Sequence, residues 1–291
     1  MDALFTVRVA AVVVIALVYM LFDLFNSRNV PSMFAYATLG FGTVFTILYL
    51  NVSAIMISLG IAAVIGALGY LVYRAGQLGG ADVIEFAAIS MILPLQPAPY
   101  LSSIFQFNLP FIISVFIATG VVALALIPLY YIPMARSSLR KSMWSYVDRS
   151  AIFKGAVLTV AYLAFLLFLV FATNAGVIGL LIVVVVMISS ILTMTFERPI
   201  TDSMVERIPA GKFEEGDMIA LNMMNEKEIG EMKRKIRGFG RLVTLRVIGE
   251  MKRKKVTRKF PVYRKAMPLA LPIFIGIVLS LLFGNLLLLI L

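Results

Sequence analysis

Eight apolar stretches divide this chain, at residues 3–25, 30–50, 52–73, 82–95, 109–132, 151–172, 176–195 and 266–291. Seven of them reach the roughly 20 residues that an α-helix needs to cross hydrocarbon. The fourth is shorter and opens on a carboxylate, Asp82. With 61% of its residues hydrophobic and 14% charged, the chain lacks the polar surface of a soluble domain. In lipid every backbone amide must bond within its own segment, so these stretches are expected to be helices. The first stretch is too long for a signal-peptide core, lacks a clear small-residue cleavage site and contains Asp23, so it counts as a span. The expected fold is an all-α polytopic membrane protein of about eight transmembrane helices, with one cytoplasmic mixed α/β insertion before the last helix. Residues 1–195 would hold the first seven helices and 196–265 a basic cytoplasmic domain; 266–291 would form the last helix. Within the insertion, Pro199, Pro209, Gly211 and Gly216 mark turns between short strands, and residues 226–235 read as a charged helix. Gly60, Gly66 and Gly69 in the third stretch suit close packing of membrane helices.

The net charge of +11 is unevenly placed: 18 of the 26 Lys and Arg lie between residues 198 and 265, with nine acids among them. A basic block joining two apolar stretches reads as a cytoplasmic loop, and no nucleic-acid partner is expected. Arg28, Arg74, the group from Arg136 to Lys154 and the large block fall on alternate connections. The connections around Asn51, between Leu95 and Leu109, and around Asn174 carry no Lys or Arg. Apart from Arg8, every basic residue then lies on one side. This alternation requires the short fourth stretch to cross, and it predicts a multi-pass protein of the cell membrane with both termini outside and the basic loops cytoplasmic. Lys252–Lys255, Arg258 and Lys259 sit near the last span, where anionic lipid head groups would attract each by about 1 kcal/mol. Their simpler role is to fix topology.

There is no cysteine and no histidine. Disulfides, thiolate nucleophiles, Ser-His-Asp triads and His- or Cys-ligated metals are therefore excluded. Any catalysis must therefore use carboxylates, hydroxyls, Lys or Arg, or a bound cofactor; the reading adopted below expects neither metal nor cofactor.

Carboxylates do appear where they are expensive. Between residues 3 and 147 the only acids are Asp23, Asp82 and Glu85. Ionisable groups in hydrocarbon mostly face a cavity and carry function. Asp23 closes the first span and Asp82 opens the fourth, two crossings later, so both lie under the same membrane face. Two carboxyl groups at close range in a low dielectric share one proton, the state an aspartic protease uses. The stretch Gly76-Gln77-Leu78-Gly79-Gly80-Ala81 before Asp82 is too glycine-rich to continue a stable helix. It would let the backbone approach an extended substrate and would set Asp82 at a helix start, where an anion is favoured. Glu85 lies one turn beyond Asp82. The same three acids suit a different chemistry, as coupling carboxylates of a proton- or cation-driven carrier.

The residues from Asp23 to Ser32, with Arg28 and Val30-Pro31, resemble the first motif of the type IV prepilin peptidases. Gly79-Gly80-Ala81-Asp82 resembles their G-x-G-D motif, in the form found in archaeal members. Met267-Pro268-Leu269-Ala270-Leu271-Pro272 through Phe283-Gly284-Asn285 is similar to the archaeal family's proline-bearing last span. The resemblance implies an archaeal preflagellin or prepilin peptidase, an intramembrane aspartyl protease with Asp23 and Asp82 as catalytic pair. Gly79, Gly80 and Ala81 would line the substrate approach, with Arg28, Glu85, Pro268 and Pro272 around the pair. The substrates implied are prepilin- or preflagellin-like single-span proteins with a short basic leader. Acidic residues such as Asp202, Glu206, Glu214, Glu215 and Asp217 could attract that leader, although solvated surface is the plainer reading.

The pattern departs from the family at several points. The Asp23–Pro31 interval is one residue longer than the common bacterial spacing, and Ala81 replaces the glycine before the second aspartate. Ile84 stands where many relatives have Lys. The bacterial Cys-x-x-Cys pairs are absent, so neither their zinc domain nor N-methylation is implied. A presenilin-like protease shares the Asp pair and a P-A-L-P motif similar to Leu269–Pro272, but the Arg28-Asn29-Val30-Pro31 continuation favours the prepilin branch.

Overall fold

The computed structural model describes residues 3–26, 30–49, 51–75, 78–101, 109–138, 147, 149–172, 176–264 and 267–290. Each of the eight apolar stretches is helical: α1 (Ala3–Phe25), α2 (Ser32–Ile47), α3 (Val52–Arg74), α4 (Gly80–Ile92), α5 (Phe111–Ser138), α6 (Arg149–Ala172) and α7 (Val177–Thr195), with the last stretch forming the final helix after the insertion. The insertion contains α8 (Glu197–Met204), β1 (Glu206–Pro209), α9 (Glu226–Lys235), α10 (Leu245–Arg253) and β2 (Lys259–Val262), and α11 (Ala270–Phe283) follows it.

Five of these helices, α1, α3, α5, α6 and α7, are long and apolar enough to cross a membrane. The expectation of about eight transmembrane helices is met only in this coarser form, because α2, α4 and α11 have 16, 13 and 14 residues. At 1.5 Å per residue α4 spans about 20 Å, well short of a 30 Å hydrocarbon core. Local sequence explains the shortening. Pro31 stands at the N-cap of α2. Leu93 leaves helical geometry just before Pro94. Gly284 adopts φ 77°, which turns the chain out of α11 into a single 3₁₀ turn over Leu286–Leu289. In the other direction, α5 continues to Ser138 through Pro128 and Pro133.

The short α4 is the most enclosed of these helices, and nine of its 13 residues are buried. Its exposed end-carbonyls would be intolerable in an apolar bundle. Neighbouring hydroxyls satisfy them: Ser58 donates to Met91 O at 3.2 Å, Thr46 shares its one proton between Gly42 O at 3.0 Å and Met91 O at 3.2 Å, and Tyr49 donates to Ile92 O at 3.0 Å. The Arg8 guanidinium stacks on Tyr49 at 3.4 Å and donates to Phe45 O. A cation thus lies near the negative end of α4, where a helix dipole favours it. Around α4 the main core joins five helices through Tyr19, Phe45, Ile89, Val115 and Ile277. Close backbone approach supports it in one place: a Cβ on Gly69 would stand 2.5 Å from Val83 Cγ1. Gly60 and Gly66 face open space instead, so only one of the three glycines expected to pack closely does so.

The insertion has a core of its own, centred on Ile219, Ile236, Val243, Phe260 and Val262. Strands β1 and β2 pair antiparallel, with Ile208 opposite Phe260. Helix α9 occupies the span read as helical from its charges, and Glu228 caps it by accepting from Asn225 N at 3.2 Å. Helices α8 and α10 have no counterpart in the sequence reading. Helix α8 joins the insertion to the bundle by packing Phe196 and Ile200 on Tyr131 of α5, with Met267 against the same cluster.

Candidate active site

The end of α1, the start of α4 and the start of α11 meet at one place. Asp23 lies in the last turn of α1 and is 9% exposed. Its Oδ2 accepts a hydrogen bond from Ala270 N, the first amide of α11, at 3.0 Å. Asp82 lies in the first turn of α4, partly buried, and its Oδ2 accepts from Gly79 N at 3.1 Å. Asp82 therefore sits at the N-terminus of its own helix, while Asp23, at the C-terminal end of α1, takes the free N-terminal amide of α11. Proline at position 272, buried in the first turn of α11, removes one amide that would otherwise need a partner. Pro268 is buried just before that turn.

Asp23, Asp82 and Glu85 lie within Coulombic range of one another. Residues separated by 59 positions in the chain are thus brought together from α1 and α4, with the N-terminus of α11 as third wall. The glycines do different jobs. A Cβ on Gly79 would stand 2.8 Å from Asp82 Oδ2, so a side chain there would displace the carboxylate from its present position. A Cβ on Gly80 would meet the Tyr73 ring at 3.5 Å, an ordinary contact. Gly79 is exposed, Ala81 is partly buried against the main core, and Asp82 therefore sits at an open edge.

Glu85 is different. It is 0% exposed, and among the described residues neither of its side-chain oxygens has a hydrogen-bond partner. Among the described residues no group of three or more acidic side chains is arranged to hold a metal ion. Arg28 lies outside the described residues.

Tyr19 is a neighbour that the sequence reading passed over. It is fully buried one turn before Asp23, within electrostatic range of Asp82 and Glu85, and its hydroxyl is 3.0 Å from Thr38 Oγ1. Thr38 spends its own proton on Ala35 O at 2.7 Å, so Tyr19 is the donor between them. The i, i+4 spacing of Tyr19 and Asp23 on one face of α1 is the signal that could have found it. The acids considered for leader binding divide. Glu214 and Asp217 pair with Arg264 at 3.3 and 3.1 Å, and Arg264 also donates to Lys212 O. Asp202, Glu206 and Glu215 are exposed.

Compared with known proteins, the chain matches no family model, no curated protein and no solved structure.

Proposed function

We propose that this chain is a membrane-embedded aspartyl peptidase that removes the short basic leader from prepilin- or preflagellin-like substrates at the cytoplasmic face. The observation that carries the reading is that Asp23, bonded by Ala270 N, and Asp82, bonded by Gly79 N, come within Coulombic range of each other. The eight apolar helices would all cross or enter the membrane, with both termini outside and the basic insertion in the cytoplasm. The similarity of the Asp23–Ser32 and Gly79–Asp82 segments to the prepilin peptidase motifs supports the choice of substrate.

In this mechanism one carboxyl group is protonated and the other ionised. The ionised member takes a proton from water as the water oxygen attacks the scissile carbonyl carbon. The protonated member gives its proton to the carbonyl oxygen, and a gem-diol forms. The first member then protonates the amide nitrogen, a diol hydroxyl returns a proton to the second, and the C–N bond breaks. One proton remains on the pair, as at the start. The backbone amides of Gly79 and Ala270 fix where each carboxylate points, a positioning that proximity chemistry demands. Incubating the purified protein in lipid with candidate prepilins tests the proposal. Appearance of the leaderless product supports it; intact substrate across archaeal pilins and flagellins alike contradicts it.

Glu85 favours a second reading, that of a proton-coupled carrier. Its two unpaired oxygens in a closed site are what a coupling carboxylate would present. Proton flux across sealed vesicles driven by a transported solute, without peptide cleavage, would select it.

A further inference from the structure

Glu85 has no part in the hydrolysis just described, yet a buried carboxyl group without a donor is costly. The helices around it offer no compensating cation among the described residues: Arg8 is engaged at the far end of α1 with Phe45 O and Tyr49, and Arg74 at the end of α3 lies over Tyr70. Tyr19 gives its hydroxyl proton to Thr38. No donor to it stands among the described residues.

Its place beyond Asp82 bears on which group could supply one. Asp82 stands in the first turn of α4, beside exposed Gly79, and Glu85 lies one turn further in, wholly enclosed. A single-span substrate whose leader stays at the open edge, and whose apolar helix enters the bundle, passes Asp82 first and Glu85 next. The residue just after the cut is then the one nearest Glu85, and cleavage converts its amide nitrogen into an amine.

We propose that Glu85 receives the α-amino group that cleavage creates, so that the site binds a primary amine at the head of an apolar helix. This inference rests on the peptidase reading. The broken C–N bond leaves nitrogen as –NH₂, which takes the proton carried by Glu85 and pairs with the resulting carboxylate as –NH₃⁺, a charge-assisted contact. When the product departs as the neutral amine, the proton returns to Glu85. A Lys or Arg of the leader carries the same ammonium-type chemistry from the other side of the cut, and the test separates the two.

The full-length protein in lipid nanodiscs is given a leader-bearing substrate together with one of two synthetic peptides of the mature apolar helix. One peptide has a free α-amine and the other is N-acetylated. At least tenfold stronger inhibition by the free amine is expected on the wild type, with the contrast lost in Glu85→Gln and partly kept in Glu85→Asp. Replacing the leader's Lys and Arg by Gln should raise KM equally in wild type and Glu85→Gln. Equal inhibition by the two peptides on the wild-type protein overturns the inference with no variant needed. A leader penalty that vanishes in Glu85→Gln also overturns it, because Glu85 would then serve the leader cation. If the wild type cuts no leader-bearing substrate, the peptidase reading fails first and this inference falls with it.

Discussion

Gly79 and Gly80 are adjacent glycines of one motif, and the structure separates them by a single distance. The Cβ of an alanine at 79 would press within 2.8 Å of Asp82 Oδ2, whereas one at 80 would touch Tyr73 at 3.5 Å. Gly79→Ala is therefore expected to lower kcat/KM for leader removal at least tenfold, about 1.4 kcal/mol in the barrier. Gly80→Ala should stay within about threefold. Steady-state kinetics on the two variants decide the matter, and the reverse order would remove Gly79 from its role beside Asp82. Asp23, Asp82 and the glycines before Asp82 were legible in the sequence because acids in an apolar stretch stand out against hydrocarbon. The partner of Asp23 was not legible. Ala270 contributes only a backbone amide, and nothing in an alanine side chain announces a helix N-terminus 247 positions away. Tyr19 was hidden for the opposite reason, since an aromatic residue on a buried helix face reads as core.

At the level of the helices, α4 holds the site because its far end is tied down. Ile92 O depends on the Tyr49 hydroxyl, while Met91 O has two donors in Thr46 and Ser58. Tyr49→Phe should leave a buried carbonyl without its partner and destabilise the protein by about 1–3 kcal/mol. Thr46→Val should cost less, because Ser58 remains. Unfolding titrations in mixed micelles would show the difference, and a Tyr49→Phe midpoint equal to wild type would refute this account of the α4 terminus. The sequence disclosed where the apolar helices lie but overestimated several lengths. Hydropathy continues past Phe283, and the reversal is made by Gly284 at φ 77°, a backbone state that composition does not encode. Helix α9 was readable because its acids lead and its bases trail, in accord with the helix dipole. Helices α8 and α10 were missed because each is a single amphipathic segment of two or three turns, too short for periodicity to separate from loop.

For the molecule as a whole, the bundle and the insertion meet at the end where the carboxylates lie. The chain leaves β2, is gripped through Arg264 by Asp217 and Glu214, and packs Met267 on Tyr131, Phe196 and Ile200. It then enters α11, whose first amide holds Asp23. The proposed topology sets that end in the cytoplasm. Single cysteines placed at Ser27 and Thr257 should react with impermeant thiol reagents only from the cytoplasmic side, and those at Gln96 and Asn174 only from outside. The parent has no cysteine, so the labelling has no background. Labelling of Ser27→Cys and Thr257→Cys from opposite sides would break the even number of crossings between them. The central claim is the carboxylate pair, and leader removal by the purified protein and its Asp variants tests it most directly. Asp23→Asn and Asp82→Asn should each insert in the membrane and each abolish cleavage, and the double variant should be no worse than either, because the two act as a unit. Retention of more than about a tenth of wild-type activity by either single variant would contradict the account.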